Sequence, residues 1–139
     1  MVFGEHGLFS FKNKATIERE QEEYAAWAFP YGQKQRDTLE ALLLEVFPKK
    51  KAISTVLIPF LTCKELYEGA MAKNGALDKT VTELMKKQKN YSQIIKSKDM
   101  CTFIALVIAD ADVGESCEYP TADEIRASAL EIEQKYMKR

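Results

Sequence analysis

Met100-Cys101-Thr102-Phe103-Ile104-Ala105-Leu106-Val107-Ile108-Ala109-Asp110-Ala111 is the longest nearly uninterrupted apolar run in the chain, and its reading decides the fold. A run of this kind belongs inside the protein. Periodicity alone does not separate a buried helix from a buried strand here, so the decision passes to the neighbouring segments. Asp99 offers a helix cap just ahead of the run, and the segments before and after it have helical spacing. These features favour a core helix. The competing reading makes 102–109 and 53–58 buried strands of a small α/β or α+β domain, with a further strand near residue 9. The run is shorter than the roughly 20 residues of a membrane-spanning helix and is broken by Asp110 and Asp112, so no membrane segment is expected.

Towards the C-terminus, Gly114 opens a connector that carries Cys117, Tyr119 and Pro120. Thr121-Ala122-Asp123-Glu124 matches a capping box and predicts a terminal helix through Lys138, with Ile125, Ala129, Ile132 and Tyr136 on one face. Towards the N-terminus, Leu77, Val81, Leu84, Met85, Gln88 and Tyr91 predict a helix over 77 to about 91. Its outer side carries Lys79, Lys86, Lys87 and Lys89. Asn74-Gly75 terminates the preceding helix, which is expected to start at the Thr62–Glu65 capping box. The segment 52–61 reads as a separate helix that Pro59 kinks or ends, although its β-branched residues also suit a strand.

Gln33 to Phe47 predicts a helix with Leu39, Leu42, Leu43 and Val46 on one stripe. Before it, Thr16 to Ala28 predicts a helix whose core face is Ile17, Tyr24, Trp27 and Ala28. The two are joined at Phe29-Pro30-Tyr31-Gly32. Residues 1–13, with Phe9 and Phe11 alternating, read as an extended or short-strand arm. The expectation is one domain over residues 1–139: an all-α bundle of five or six helices around a central hydrophobic helix at 100–112.

Composition narrows function without naming it. An apolar fraction of 46% with 29% charged residues is that of a globular protein, which excludes global disorder. The net charge of −1 hides a basic middle: residues 31–98 carry thirteen basic and seven acidic side chains, while both flanking segments are acidic. Three cysteines without a paired spacing fit a reducing compartment, and the first residues show no secretory signal, so a cytoplasmic location is expected.

Chemistry-bearing patterns are sparse. His6 is the single histidine, and it forms no metal-ligand spacing with Asp110, Asp112 or Cys117, so no metal or cofactor is expected. Asp110 and Asp112 diverge on a helix; there they serve as a polar exit or as partners for lysines of 77–98. Cys63 and Cys101 each follow a predicted cap, where a helix N-terminus lowers a thiol pKa, so a small thiol or carboxylate enzyme stays open as an alternative. Lys49, Lys50 and Lys51 with Lys79, Lys86, Lys87 and Lys89 supply a second alternative, nucleic-acid or polyanion binding. The leading expectation is a non-catalytic interaction or regulatory module that binds another protein or itself through Tyr24, Trp27, Phe29 and Tyr31. These aromatics cluster at one helix end and its turn. The other reading of the cluster has Trp27 and Phe29 plugging the bundle, with the tyrosines at its rim.

Overall fold

The computed structural model describes residues 14–87 and 97–137. All regular structure among these residues is helical: α1 (Lys14–Ala28), α2 (Gln33–Val46), α3 (Ser54–Asn74), α4 (Leu77–Lys87), α5 (Ser97–Ala111) and α6 (Ala122–Ile132), the last running into a π-helical turn, Glu133–Met137. The protein is an all-helical bundle. The expected N-terminal arm, residues 88–91 of the fourth helix, and the end of the terminal helix lie outside the described residues.

The decisive run is helical and central. Met100, Phe103, Ile104, Ala105, Leu106 and Val107 are all buried, covering almost the whole circumference of α5, as expected of a helix surrounded by others. α6 packs on α5 and α2, while α3 packs on α5, α2 and α4. Phe47 at the end of α2 stacks on Phe103 of α5 at 4.8 Å between ring centroids, seating one helix on the other.

Residues 54–58 are also helical, with Ile53 at the N-cap, which excludes the α/β alternative. The expected break at Thr62 is absent, because α3 runs unbroken for 21 residues with Pro59 inside it. Two features explain the continuity. The Thr62 hydroxyl donates back to the Ile58 carbonyl (3.0 Å), the mid-helix habit of threonine, so it does not cap a new helix. Val56, Phe60, Cys63, Tyr67 and Ala70 form one buried stripe at three- and four-residue spacing straight through the supposed break. Pro59 costs one backbone hydrogen bond near the start of α3, and the burial of this stripe outweighs it.

Local signals fix the other ends. Gly75 takes the left-handed conformation (φ 69°), and its N–H closes α3 onto the Met71 carbonyl. The Thr121 hydroxyl accepts from the Glu124 N–H (3.2 Å), and the Glu124 carboxylate accepts from the Thr121 N–H (2.9 Å), completing the capping box that starts α6. Asp99 lies within the first turn of α5, which begins at Ser97, where its negative charge suits the helix dipole.

The N-terminal helix departs from expectation. Of the face Ile17, Tyr24, Trp27 and Ala28, only Ala28 is fully buried, while Ile17 and Tyr24 are 44% and 50% exposed. The C-terminal turn of α1 joins the bundle through Ala28 and Trp27, while Ile17 and Tyr24 of the same face are exposed.

Candidate functional site: an anchored aromatic corner and an open slot

The corner is built on a buried polar tie that joins α1, α2, α3, α5 and the connector. Lys64 of α3 is 5% exposed. Its ammonium donates to Asp110 Oδ2 and to the Ala28 carbonyl, each at 2.8 Å. The same ammonium lies 5.5 Å from the Trp27 ring centroid, a cation–π distance. Asp110 Oδ1 accepts from Gln35 Nε2 (3.0 Å) and from the Tyr119 hydroxyl (2.6 Å). Gln35 Oε1 in turn accepts the Tyr31 N–H (3.0 Å). Every charge in the tie therefore has an opposite charge and further hydrogen bonds, the condition under which a buried ion pair is tolerated.

The tie has a positioning consequence. The Ala28 carbonyl is at the negative end of the α1 dipole, so the Lys64 cation satisfies both an end-of-helix carbonyl and that dipole. Trp27 Nε1 adds a bond to Glu68 of α3 (2.7 Å). Gly32, at φ 87°, turns the chain from α1 into α2, and the Gln35–Tyr31 bond braces that turn. On the far side, Cys117 adopts φ 56°, uncommon for a non-glycine residue, and redirects the connector that delivers Tyr119 to Asp110. Burial, the hydrogen bond to Asp110 and the Asp110 charge all push the Tyr119 hydroxyl above its ordinary pKa, keeping it a donor.

Of the four aromatics singled out by sequence, Phe29 is buried in the core and Trp27 is partly buried over Lys64. Tyr24 and Tyr31 are exposed by 50% and 44%. Tyr24 lies 5.4 Å from Trp27 between ring centroids. Sequence reasoning missed Gln35, Lys64 and Tyr119, and it read Asp110 as a polar exit to the connector or a partner for lysines of 77–98. Asp110 is instead buried against Lys64. Part of the signal was available: Gln35, Lys64 and Asp110 each occupy a core-stripe position of an otherwise apolar helix face, so each needed a polar partner.

The second feature is a slot of about 390 Å³ between α4 and α6. Its floor is Ala105 and Ile108 of α5, and its walls carry Leu77 and Val81 on one side and Ile125 and Ile132 on the other. α4 packs on α3 and α6 packs on α5, and α4 meets the end of α6 through the π-helical turn. There Asp78 accepts from the Tyr136 hydroxyl and from Lys135, and these two donors hold its carboxyl below the usual carboxylate range.

The remaining candidates do not converge on a reaction centre. Cys63, Cys101 and Cys117 form no disulfide. Burial pushes the Cys63 thiol up to about 12. Cys101 is raised to about 11 by burial and by the Glu133 charge. Both shifts oppose the depression that activates a thiol. Lys49 and Lys51 are exposed before α3, while Lys79, Lys86 and Lys87 are exposed on α4 after it. Because α3 is about 30 Å long, Lys49–Lys51 and Lys79 stand at opposite ends of it. His6 and Lys89 lie outside the described residues. Among the described residues no three or more metal-ligating side chains gather, and no helix is long and apolar enough to cross a membrane.

The class that fold and corner define is a helical bundle with a buried lysine–aspartate tie under an exposed aromatic helix. No family model, curated protein or solved structure matches the chain.

Proposed function

We propose that the chain is a non-catalytic protein-interaction module that docks a partner on α1 and the α1–α2 turn, with Tyr24 and Tyr31 as contact residues. One observation carries the reading: α1 exposes Ile17 and Tyr24 while its C-terminal turn is bonded to the Lys64–Asp110 tie. An amphipathic helix fixed in this way presents its contact side chains without the ordering cost that a loose segment incurs on binding. Tyr24 and Trp27 add large apolar area with polar ends, the composition enriched at protein contacts. The module works in the reducing cytoplasm, where three unbridged thiols are stable.

A photo-crosslinking amino acid in place of Tyr24, introduced in the producing cells, tests the reading. It should yield a discrete protein adduct that survives nuclease treatment and high salt and is lost on adding Tyr31→Glu. The same probe at exposed Lys51 should yield none. An adduct dependent on nucleic acid, or equal labelling from both positions, contradicts the reading.

A further inference from the structure

We infer that the partner docked on α1 presents an arginine side chain, which seats at the corner between α1 and α3 with its plane on the Tyr24 ring and its charge towards Glu65 and Glu68. The inference rests on the interaction reading above and gives the chemistry of the contact.

Two helices build the corner from one pair of side chains each. Tyr24 and Trp27 are three residues apart on α1, and Glu65 and Glu68 are three apart on α3, so each pair lies on one helix face. Trp27 joins the pairs: its indole N–H donates to the Glu68 carboxylate (2.7 Å), and its ring centroid is 5.4 Å from that of Tyr24. Lys64, the chain neighbour of Glu65, bonds to the carbonyl of Ala28, the chain neighbour of Trp27. Glu65 therefore stands beside the same turn of α1. Burial and, after it, the Glu65 charge raise the Tyr24 hydroxyl above its ordinary pKa, which agrees with that placement.

The charges at the corner do not balance. Lys64 is buried and neutralised by Asp110 at 2.8 Å. Arg36 lies over the Phe29 ring and pairs with Glu40. Glu65 and Glu68 are left exposed without a basic partner among the described residues, and a bond from a neutral indole leaves the Glu68 charge in place. A partner segment that brings positive charge gains from both carboxylates, whereas a polyanion is repelled.

Arginine suits the corner better than lysine. Its planar guanidinium stacks on an aromatic face while its N–H groups fork onto a carboxylate, and half of Tyr24 is open to that contact. Gly69, exposed next to Glu68, gives room for the approach. Beyond its own helix backbone and chain neighbours, no heavy atom among the described residues lies within 4 Å of a Cβ placed there. A glycine inside a helix weakens it relative to alanine, and here it lets the backbone of an incoming segment come close.

Trp27 is the single tryptophan, so its fluorescence reports on the corner directly. Titration of the full-length chain with the capped peptide Ala-Arg-Ala-Arg-Ala-Arg should change that emission saturably. The lysine counterpart of the peptide should bind more weakly, and the glutamate counterpart should leave the emission unchanged. Combining Glu65→Gln with Glu68→Gln keeps an acceptor for the Trp27 N–H while removing both charges, and should weaken binding at least about fivefold. Combining Glu18→Gln with Glu22→Gln, on another side of α1, removes the same charge and should leave the affinity within about twofold of wild type. Far-ultraviolet circular dichroism checks that both variants remain folded. No saturable change with the arginine peptide, or equal weakening by the two double variants, overturns the inference. If in either case the Tyr24 crosslink still captures a protein, the interaction reading stands while this choice of partner chemistry fails.

Discussion

The two sides of α5 differ in how completely their bonding is finished. On one, Asp110 meets Lys64, Gln35 and Tyr119, and its partners reach on to Ala28 and Tyr31 until no charge in the group lacks a counterpart. On the other, Ala105 and Ile108 line a trough flanked by Val81 and Ile132. A closed polar network specifies geometry and resists change, whereas an open apolar slot has free energy to gain from an occupant. The contrast separates the part of the molecule that sets the direction of α1 from an apolar surface that the polar tie does not reach.

Breaking the closed side should give the largest effect. Lys64→Met leaves Asp110 buried without its cation and should cost about 3–5 kcal/mol in urea denaturation. Pairing it with Asp110→Leu should recover much of that loss, because an apolar pair replaces the ionic one. The next effect is alkaline. The folded-state pKa of Cys63 is raised from 9.0 to about 12, so its contribution to stability is complete below pH 9 and is lost as pH rises from there towards 12. Tyr119, also raised, adds to the loss above about pH 10. Unfolding free energy should fall by up to about 1.4 kcal/mol per pH unit for each group in its window, and Cys63→Ala should flatten the fall between pH 9 and 12.

Smaller effects sharpen the comparison. Tyr119→Phe removes one hydrogen bond to the Asp110 carboxylate and should cost about 1.5–3 kcal/mol, read in the same denaturation experiment. Thr121→Ala removes the α6 cap and should cost about 1 kcal/mol. Tyr24→Glu should change stability by no more than about 0.5 kcal/mol, since half of that side chain already faces water. Its effect belongs to association, which is the asymmetry between stability and function that the two sides imply.

Much of the fold was legible because its signals are local. The stripe of α2, the Gly75 stop and the Thr121 box each need only a few neighbouring residues, and the burial of most of 100–107 follows from its apolarity. Thr62 misled because a capping-box pattern is indistinguishable in sequence from a mid-helix threonine bonded to the residue four before it. Ile17 and Tyr24 misled because helical spacing identifies an apolar face without saying whether this chain itself covers it. The polar tie was hidden for another reason: Gln35, Lys64 and Asp110 are 29 and 46 positions apart, and only tertiary packing brings them together. Their places on core stripes showed that each needed a partner, but not which one.

Photo-crosslinking from position 24 in the wild type and in the Lys64→Met/Asp110→Leu double variant tests the central claim most directly, because the double variant removes the tie that positions α1 without leaving a buried unpaired charge. The account predicts a discrete protein adduct from the wild type and its loss from the double variant, with far-ultraviolet circular dichroism confirming that the variant is folded. An adduct of equal yield from both would contradict it.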